Sequence, residues 1–346
     1  MNLWITYSAI LVLLIVAELI YFLVADRLNI IDKPNLRSSH THITLRGGGI
    51  IFIIGAWLSA AFFGLDYPWF MAGLTAICAI SFADDVCSVP NRWRLLVHFI
   101  SMLLMFVDLD ILNAQLWWMT IPALIVCVGI INAYNFMDGI NGITGAYSLA
   151  VLAPLAVLNS HIGFVKPELI YSSAISVLVF CFFNFRRKAR CFAGDVGAVG
   201  IAFIILFILG RLIMATGDIQ YLLLLGVYGI DVVLTIIHRI LLHEHLGEAH
   251  RKHAYQIMAN ELHIPHTFVS TIYFVLQLAA SAGLIAIPER LQWPYIIAVL
   301  VILALLYLLF MKKYYKLHEE YLAEKERTKK ESMELRFSTE SNVPGR

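Results

Sequence analysis

Apolar residues in this chain come in long runs rather than alternating with polar ones. That excludes half-buried strands and points to helices surrounded by apolar material. A helix needs about 20 apolar residues to cross the hydrocarbon core of a bilayer. Runs near that length stand at 3–25, 48–65, 68–83, 94–109, 115–133, 142–159, 168–184, 198–215, 220–240, 267–287 and 294–312. They predict an all-α, polytopic membrane protein with about eleven transmembrane helices. The runs at 68–83 and 94–109 are short for a full crossing. The first run is longer than the roughly 7–15 residues of a signal-peptide core and has no basic residue ahead of it, so it reads as a span. Past residue 312 the chain turns to Lys, Glu and Leu. Residues 1–312 are predicted to form one transmembrane domain. The tail, 313–346, is predicted to prolong the last helix to about Glu334 and to end in disorder.

Composition sharpens this picture. Hydrophobic residues make up 60% of the 346 and charged residues only 14%, against about 45–50% and about 25% in soluble domains. A soluble enzyme, a disordered scaffold and a small secreted disulfide protein are excluded. The five cysteines, at 78, 87, 127, 181 and 191, form no CxxC pair and read as reduced thiols. Net charge is +1, so nothing suggests nucleic acid. The placement of charge says more. With the N-terminus outside, 22 of the 25 Lys and Arg residues fall in the connections assigned to the cytoplasm. The exceptions are Lys166, Arg211 and Arg290. The C-terminus then lies inside, and the alternation holds across every loop.

The same face gathers the unusual chemistry. Asp84 and Asp85 follow the third run, Asp138 follows the fifth in NAYNFMDGING, and Asp195 precedes the eighth in CFAGDVGAVG. Each acid alone reads as a solvated helix cap. An adjacent pair repels, however, and one member is driven up in pKa unless a cation joins them. Few hard oxygens with open positions suit Mg²⁺ bound to a substrate phosphate. Glycine beside Asp138 and Asp195 permits close backbone approach, and helix starts there can meet an anion. Arg186, Arg187, Lys188 and Arg190 read either as topology signals or as partners for lipid headgroups and a substrate phosphate. Seven of the twelve histidines lie between 238 and 266. Because His250 and His253 flank Arg251 and Lys252, that loop favours an anionic ligand over a metal. Asp231 lies within a span, where a carboxylate is costly and must face the bundle interior. It is expected to brace a cation or a loop. Glu18 has no evident role.

Over roughly residues 20–260 these motifs resemble the polyprenyl-phosphate N-acetylhexosamine-1-phosphate transferases. The first loop, with Asp32, Pro34, Asn35, Arg37, His40 and Gly47–Gly49, resembles that family's D-x-P-N-x-R…H…GG segment. Asp84 and Asp85 match its acid pair. Asn132, Ala133, Asn135, Asp138 and Gly139 match N-A-x-N-x-x-DG, and Phe192, Gly194, Asp195 and Gly197 match F-x-GD-x-G. Three positions depart: Asn141 replaces a second acid, Ala198 a usual Ser, and AHRKHAYQ a denser histidine motif. That last departure is nearer the O-antigen and capsule branch than the peptidoglycan branch. The resemblance implies transfer of a sugar 1-phosphate from a UDP-N-acetylhexosamine to undecaprenyl phosphate, at the cytoplasmic face of a bacterial inner membrane, with Mg²⁺ or Mn²⁺. It implies Asp195 and Asp85 as metal ligands, and Asp84, Asp85, Asp138, His250, Arg251 and His253 as catalytic. Asn132, Asn135, Asn141, Arg37, His40, Arg46 and Arg186 are then expected on the substrates. Membrane lipids are the expected surroundings, and a homodimer is compatible with all of this.

Two other classes remain open on the residues alone. A membrane di-iron oxygenase would use the histidine cluster but leaves Asp84–Asp85 unexplained. A transporter would place charges near mid-membrane in paired halves, which this sequence does not show. Topology is tested by single cysteines at Ser88 or Glu248 in a cysteine-free background. Both are expected to resist an impermeant thiol reagent added outside intact cells, and labelling from outside would reverse the orientation.

Overall fold

The computed structural model describes residues 3–34, 39, 42–113, 115–245 and 250–341, with side chains to Tyr321. Twelve helices account for nearly all of it: α1 Leu3–Arg27, α2 Ile51–Phe63, α3 Pro68–Val86, α4 Asn91–Asp108, α5 Thr120–Met137, α6 Ile143–Ile162, α7 Pro167–Asn184, α8 Gly194–Thr216, α9 Gly226–Leu241, α10 Ala254–Asn260, α11 His266–Ala286 and α12 Gln292–Ser341. Eleven of them stand where the apolar runs predict spans. Among the described residues, nine segments are long and apolar enough to cross a bilayer. The run at 48–65 forms a shorter apolar helix, Gly48–Phe63. Helix α4 carries Arg92, Arg94 and Asp108 at its ends, which leaves a short apolar middle. The seven-residue α10 was not expected, because it sits inside the polar histidine loop. Helix α12 continues unbroken past the apolar span as far as Ser341.

Helix α8 is the axis of the bundle, with Val196 through Leu209 buried and α3, α5, α6 and α2 packed around it. Small residues at Gly197, Ala198, Gly200 and Ala202 let neighbours approach its first turns, as expected where helices pack without a hydrophobic drive between them. Further along, Phe70 of α3 stacks on Phe203 and Phe207 at centroid distances of 5.8 and 4.1 Å.

Two features position the polar end of this bundle. A short antiparallel hairpin pairs β1 (Ile31–Asp32) with β2 (Thr44–Leu45), and Leu45 also bridges to Cys191. The first loop is thereby tied to the loop that precedes α8. Beyond the hairpin, Gly47 and Gly194 take φ of +82° and +71°, a region that L side chains rarely adopt. A Cβ on Gly197 would lie 2.6 Å from the Cα of Gly49, so the two glycine segments touch backbone to backbone.

Deeper in the membrane the chain breaks between a 3₁₀ turn at Ile219–Leu225 and α9. Irregular backbone is tolerated at such depth only when protein satisfies it. Gln277 of α11 does so. Its Oε1 accepts the Val227 N–H at 3.0 Å and the Tyr147 hydroxyl at 2.8 Å, and its Nε2 donates to the Leu223 carbonyl at 3.0 Å.

Candidate active site

The acids flagged by the sequence meet at the N-terminus of α8. Asp85, at the end of α3, accepts the backbone N–H groups of Asp195 and Val196, both at 3.0 Å. It thus satisfies two of the donors that every helix start leaves unpaired, where the helix dipole favours negative charge. Arg46, just past the hairpin, sets Nε 2.6 Å from Asp85 and Nη2 3.2 Å from Asp195. Arg94, from the first turn of α4, sets Nη1 2.7 Å from Asp84 and Nη2 3.2 Å from Asp195. The second Asp84 oxygen accepts the Val89 N–H at 2.8 Å. Three carboxylates and two guanidiniums therefore form one chain, Asp85–Arg46–Asp195–Arg94–Asp84. Burial works to lower the pKa of Arg46, but Asp85, Asp195 and Asp32 outweigh it and raise the value.

In front of this chain lies a cavity of about 300 Å³. Asp195, Arg46, Asn135, Asp138 and Asn141 line it, together with Asp32, Ser39, Asn184, Gln256 and His266. Asp138 accepts the Thr144 hydroxyl at 2.5 Å. Burial is the main cause that lifts its pKa to about 7, and the charges of Asp195 and Asp85 add to this while Thr144 opposes it. The Asn141 Nδ2 donates to the Arg186 and Arg187 carbonyls at 2.9 and 3.3 Å. Its Oδ1 is buried and has no partner among the described residues.

Five of the expected site residues thus share the cavity wall, and Asp84 and Asp85 lie directly behind it. Asn132 is exposed on α5. Arg186 is exposed too, stacked 4.6 Å over the Phe182 ring. Arg37 and His40 lie outside the described residues. The histidine loop stands behind the cavity rather than on it. His253 Nδ1 meets Asp231 at 3.1 Å, and Asp231 also accepts the Ala254 N–H at 3.2 Å and the Tyr273 hydroxyl at 2.5 Å. Asp231 is therefore the loop brace that its place in the span suggested. Arg251 is buried, 5.6 Å over the Tyr321 ring. Lys252 pairs with Glu244, and Arg239 donates to Glu244 at 3.1 Å. His250 is pushed down to about 3 by burial first, then by His253 and Arg239. It is a neutral imidazole near pH 7, not a cation for phosphate. What reaches the cavity from this segment is Gln256 of α10 and, from the start of α11, His266.

Sequence reasoning missed Arg94 as a site residue, counting it only as a topology signal. It also missed Asn184, whose side chain accepts the Gly142 N–H at 2.7 Å and donates to the Cys191 carbonyl at 2.8 Å. A buried Asn closing an apolar span was the available clue. Glu18 is buried in the bundle and accepts the Cys191 thiol at 3.5 Å.

The donor set can be tested against a divalent cation. Asp138, Asp195 and the partnerless Oδ1 of Asn141 are hard oxygens on residues lining one cavity, which fits an ion that keeps positions open for phosphate. Among the described residues no three His, Cys, Asp or Glu group closely enough to hold a metal by themselves, so further ligands would come from substrate. Asp85 has both oxygens engaged and a fully buried side chain. Among the described residues the histidine cluster likewise offers no ligand group for two irons.

Residues 67–213 match the protein family described as Glycosyl transferase family 4. A probable undecaprenyl-phosphate N-acetylglucosaminyl 1-phosphate transferase of Bacillus subtilis is 26% identical over 295 residues, 78% of this chain and 80% of that protein. A phospho-N-acetylmuramoyl-pentapeptide-transferase of Thermotoga maritima is 26% identical over 55% of this chain and 66% of its own length. An undecaprenyl-phosphate alpha-N-acetylglucosaminyl 1-phosphate transferase of Escherichia coli K12 is 26% identical over 54% of this chain and 56% of its own. The family resemblance read from the motifs is borne out. The matched segment holds Asp84, Asp85, Arg94, Asp138, Asn141 and Asp195 together.

Two predictions follow from this geometry. Asn141→Asp restores the acid usual at that position, yet here it would face a carboxylate with two carbonyl oxygens and lose both donated bonds. The unfolding midpoint in detergent is expected to fall, at about 1–3 kcal/mol for the unpaired groups. A higher midpoint would show that the Asn141 tie does not stabilise the fold. Asp138 titrates in the folded state near 7 against 3.8 for the ordinary group, so the folded protein binds the extra proton between those values. Stability from this group is complete below pH 4 and is lost as pH rises through 7. Thermal midpoints of wild type and Asp138→Asn across pH 5–8 measure it: only wild type should show this loss, and parallel curves would refute the assignment.

Proposed function

We propose that this chain transfers a sugar 1-phosphate from a UDP-N-acetylhexosamine to undecaprenyl phosphate, leaving undecaprenyl-diphospho-sugar and UMP. The observation that carries the reading is the juxtaposition of two cavities on α5. Its segment Val126–Tyr134 lines an apolar groove of about 610 Å³ shared with the 219–225 turn, α9 and α12. Asn135 and Asp138, one turn further, line the polar cavity with Asp195 and Arg46. A polyprenyl tail in the groove carries its phosphate head to the acids and arginines. The names of the three relatives agree with this reading.

Phosphoryl-type transfer needs chiefly positioning and charge neutralisation. Arg46 and Arg94 supply fixed positive charge, and Arg46 opens directly onto the cavity. As a fork of paired donors, a guanidinium suits phosphate oxygens better than an ammonium does. Asp138, balanced near neutrality, can accept a proton from the attacking lipid phosphate at a carboxylate oxygen. Asn135 and Asn141 present amides to the nucleotide-sugar. Mg²⁺, or Mn²⁺ in its place, would be held by Asp195 with substrate oxygens and would supply neutralisation of the diphosphate. Asp84 and Asp85 hold the arginines and the α8 terminus in place.

Purified protein given radiolabelled UDP-N-acetylglucosamine or its epimers, undecaprenyl phosphate and Mg²⁺ should form a lipid-linked product and UMP in equal amounts. Asp195→Asn should lower turnover by orders of magnitude while the protein still folds, and excess EDTA should stop it. Full turnover in that variant or in EDTA rules out the metal role. No lipid product from any UDP-N-acetylhexosamine rules out the reaction.

A further inference from the structure

The end of the apolar stretch of α12, and the charged stem that follows it, do not project freely from the bundle. Tyr307 and Met311 are buried against Ala254 and Ile257 of α10 in a hydrophobic cluster separate from the main core. One turn on, Tyr315 stands 4.4 Å from the His238 ring and 5.6 Å from the Lys252 ammonium. His318 is fully buried, and its Nδ1 lies 2.8 Å from Oε1 of Glu261, whose side chain is equally buried. Tyr321 closes the row over Arg251 at 5.6 Å. Tyr307 also meets Thr235 at 2.8 Å, and Thr235 donates to the Asp231 that holds His253.

The stem packs on both α9 and α10, and of the two it is α10 that carries a cavity-wall residue. Gln256 of α10 lines the polar cavity. Asn260, at its end, donates to the hydroxyl of Ser39 at 3.1 Å, and Ser39 is another wall residue. A seven-residue helix is too short to hold its own shape in water, so its position depends on what packs behind it. Removing an acid and an imidazole from water is unfavourable unless they meet, so the Glu261–His318 pair fixes the register between α10 and the stem.

We propose that the stem of α12, residues 307–321, is a brace that sets the cavity wall formed by α10, and that His318 is its positioning residue, acting through Glu261. Among the described residues, its link to the substrate cavity runs through α10, by way of Gln256 and the Asn260–Ser39 bond. The catalytic consequence rests on the transferase reading above, whereas the bracing itself does not.

The test uses full-length protein in nanodiscs with His318→Ala and His318→Asn. Asparagine keeps a donor where Nδ1 stands. Hydrogen exchange of amides 254–260 should be about ten- to hundredfold faster in His318→Ala, as for loss of one bond to a charged group. It should stay within about threefold of wild type in His318→Asn, with α8 amides unchanged in both. With UDP-N-acetylglucosamine and undecaprenyl phosphate, His318→Ala should raise KM for the nucleotide sugar about five- to tenfold and leave kcat within about twofold, because wall geometry and not the reacting groups is altered. His318→Asn should restore KM. Unchanged exchange at 254–260 in His318→Ala overturns the brace, as does equal acceleration in α8 or in the Asn variant. Faster exchange with an unmoved KM overturns the link to the cavity. If wild type shows no turnover at all, the transferase reading fails, and the exchange measurement still decides the brace.

Discussion

Three carboxylates held within one salt-bridged chain at a helix start are the constraint around which this molecule is arranged. Like charges so close, and mostly withdrawn from water, would drive one another toward protonation. Two arginines and three backbone N–H groups hold them instead. Only the Val89 N–H and the Arg94–Asp84 pair join residues near each other in the chain; the other contacts are long-range. Arg46 comes from the loop after α1, Arg94 from α4, and the other two N–H groups from α8. The hairpin, the Gly47–Gly49 turn and its contact with Gly197 all serve to bring Arg46 there. Removing a single cation leaves a buried charge unpaired, which is far more costly than losing a surface pair.

The membrane imposes the second constraint, and it explains what was legible in advance. Apolar runs encode helices directly, so each of the eleven runs carries a helix, although α9 begins only after a 3₁₀ turn and α12 continues well past its run to Ser341. The gathering of Asp84, Asp85, Asp138 and Asp195 was legible as well, because all are at helix ends on the side that carries the basic loops. What the runs did not encode is pairing across the bundle. Arg94 and Asp195 are 101 residues apart, and in the sequence Arg94 is one more basic residue before a span. The role of Asp85 was hidden for the same reason: a capping acid normally belongs to its own helix, whereas Asp85 caps α8 from the end of α3.

The histidine loop shows the limit of reading charge by composition. Its two cations and two histidines suggested a grip on phosphate. In the folded chain Lys252 is paired with Glu244, Arg251 lies against Tyr321, and His253 is tied to Asp231. The loop spends its polar groups on its own architecture and offers the cavity an amide, Gln256. The acids of α3 and α8 and the arginines beside them therefore carry the charge of the site.

That division has a consequence for how the site meets an anion. The contacts that Arg46 and Arg94 make with Asp85 and Asp84 are 2.6 and 2.7 Å, whereas both contacts to Asp195 are 3.2 Å. Each guanidinium is thus anchored at one end to an acid behind the cavity and held more loosely at the other by the acid that faces it. On the proposed function, a substrate phosphate would compete with Asp195 for these longer-held ends and leave the shorter contacts to Asp85 and Asp84 in place. On that same reading, Asp195 is the residue whose oxygens would become available to a cation accompanying that phosphate. Asp84 and Asp85 keep the arginines in place throughout, which is why an adjacent acid pair belongs here even though neither acid stands on the cavity wall.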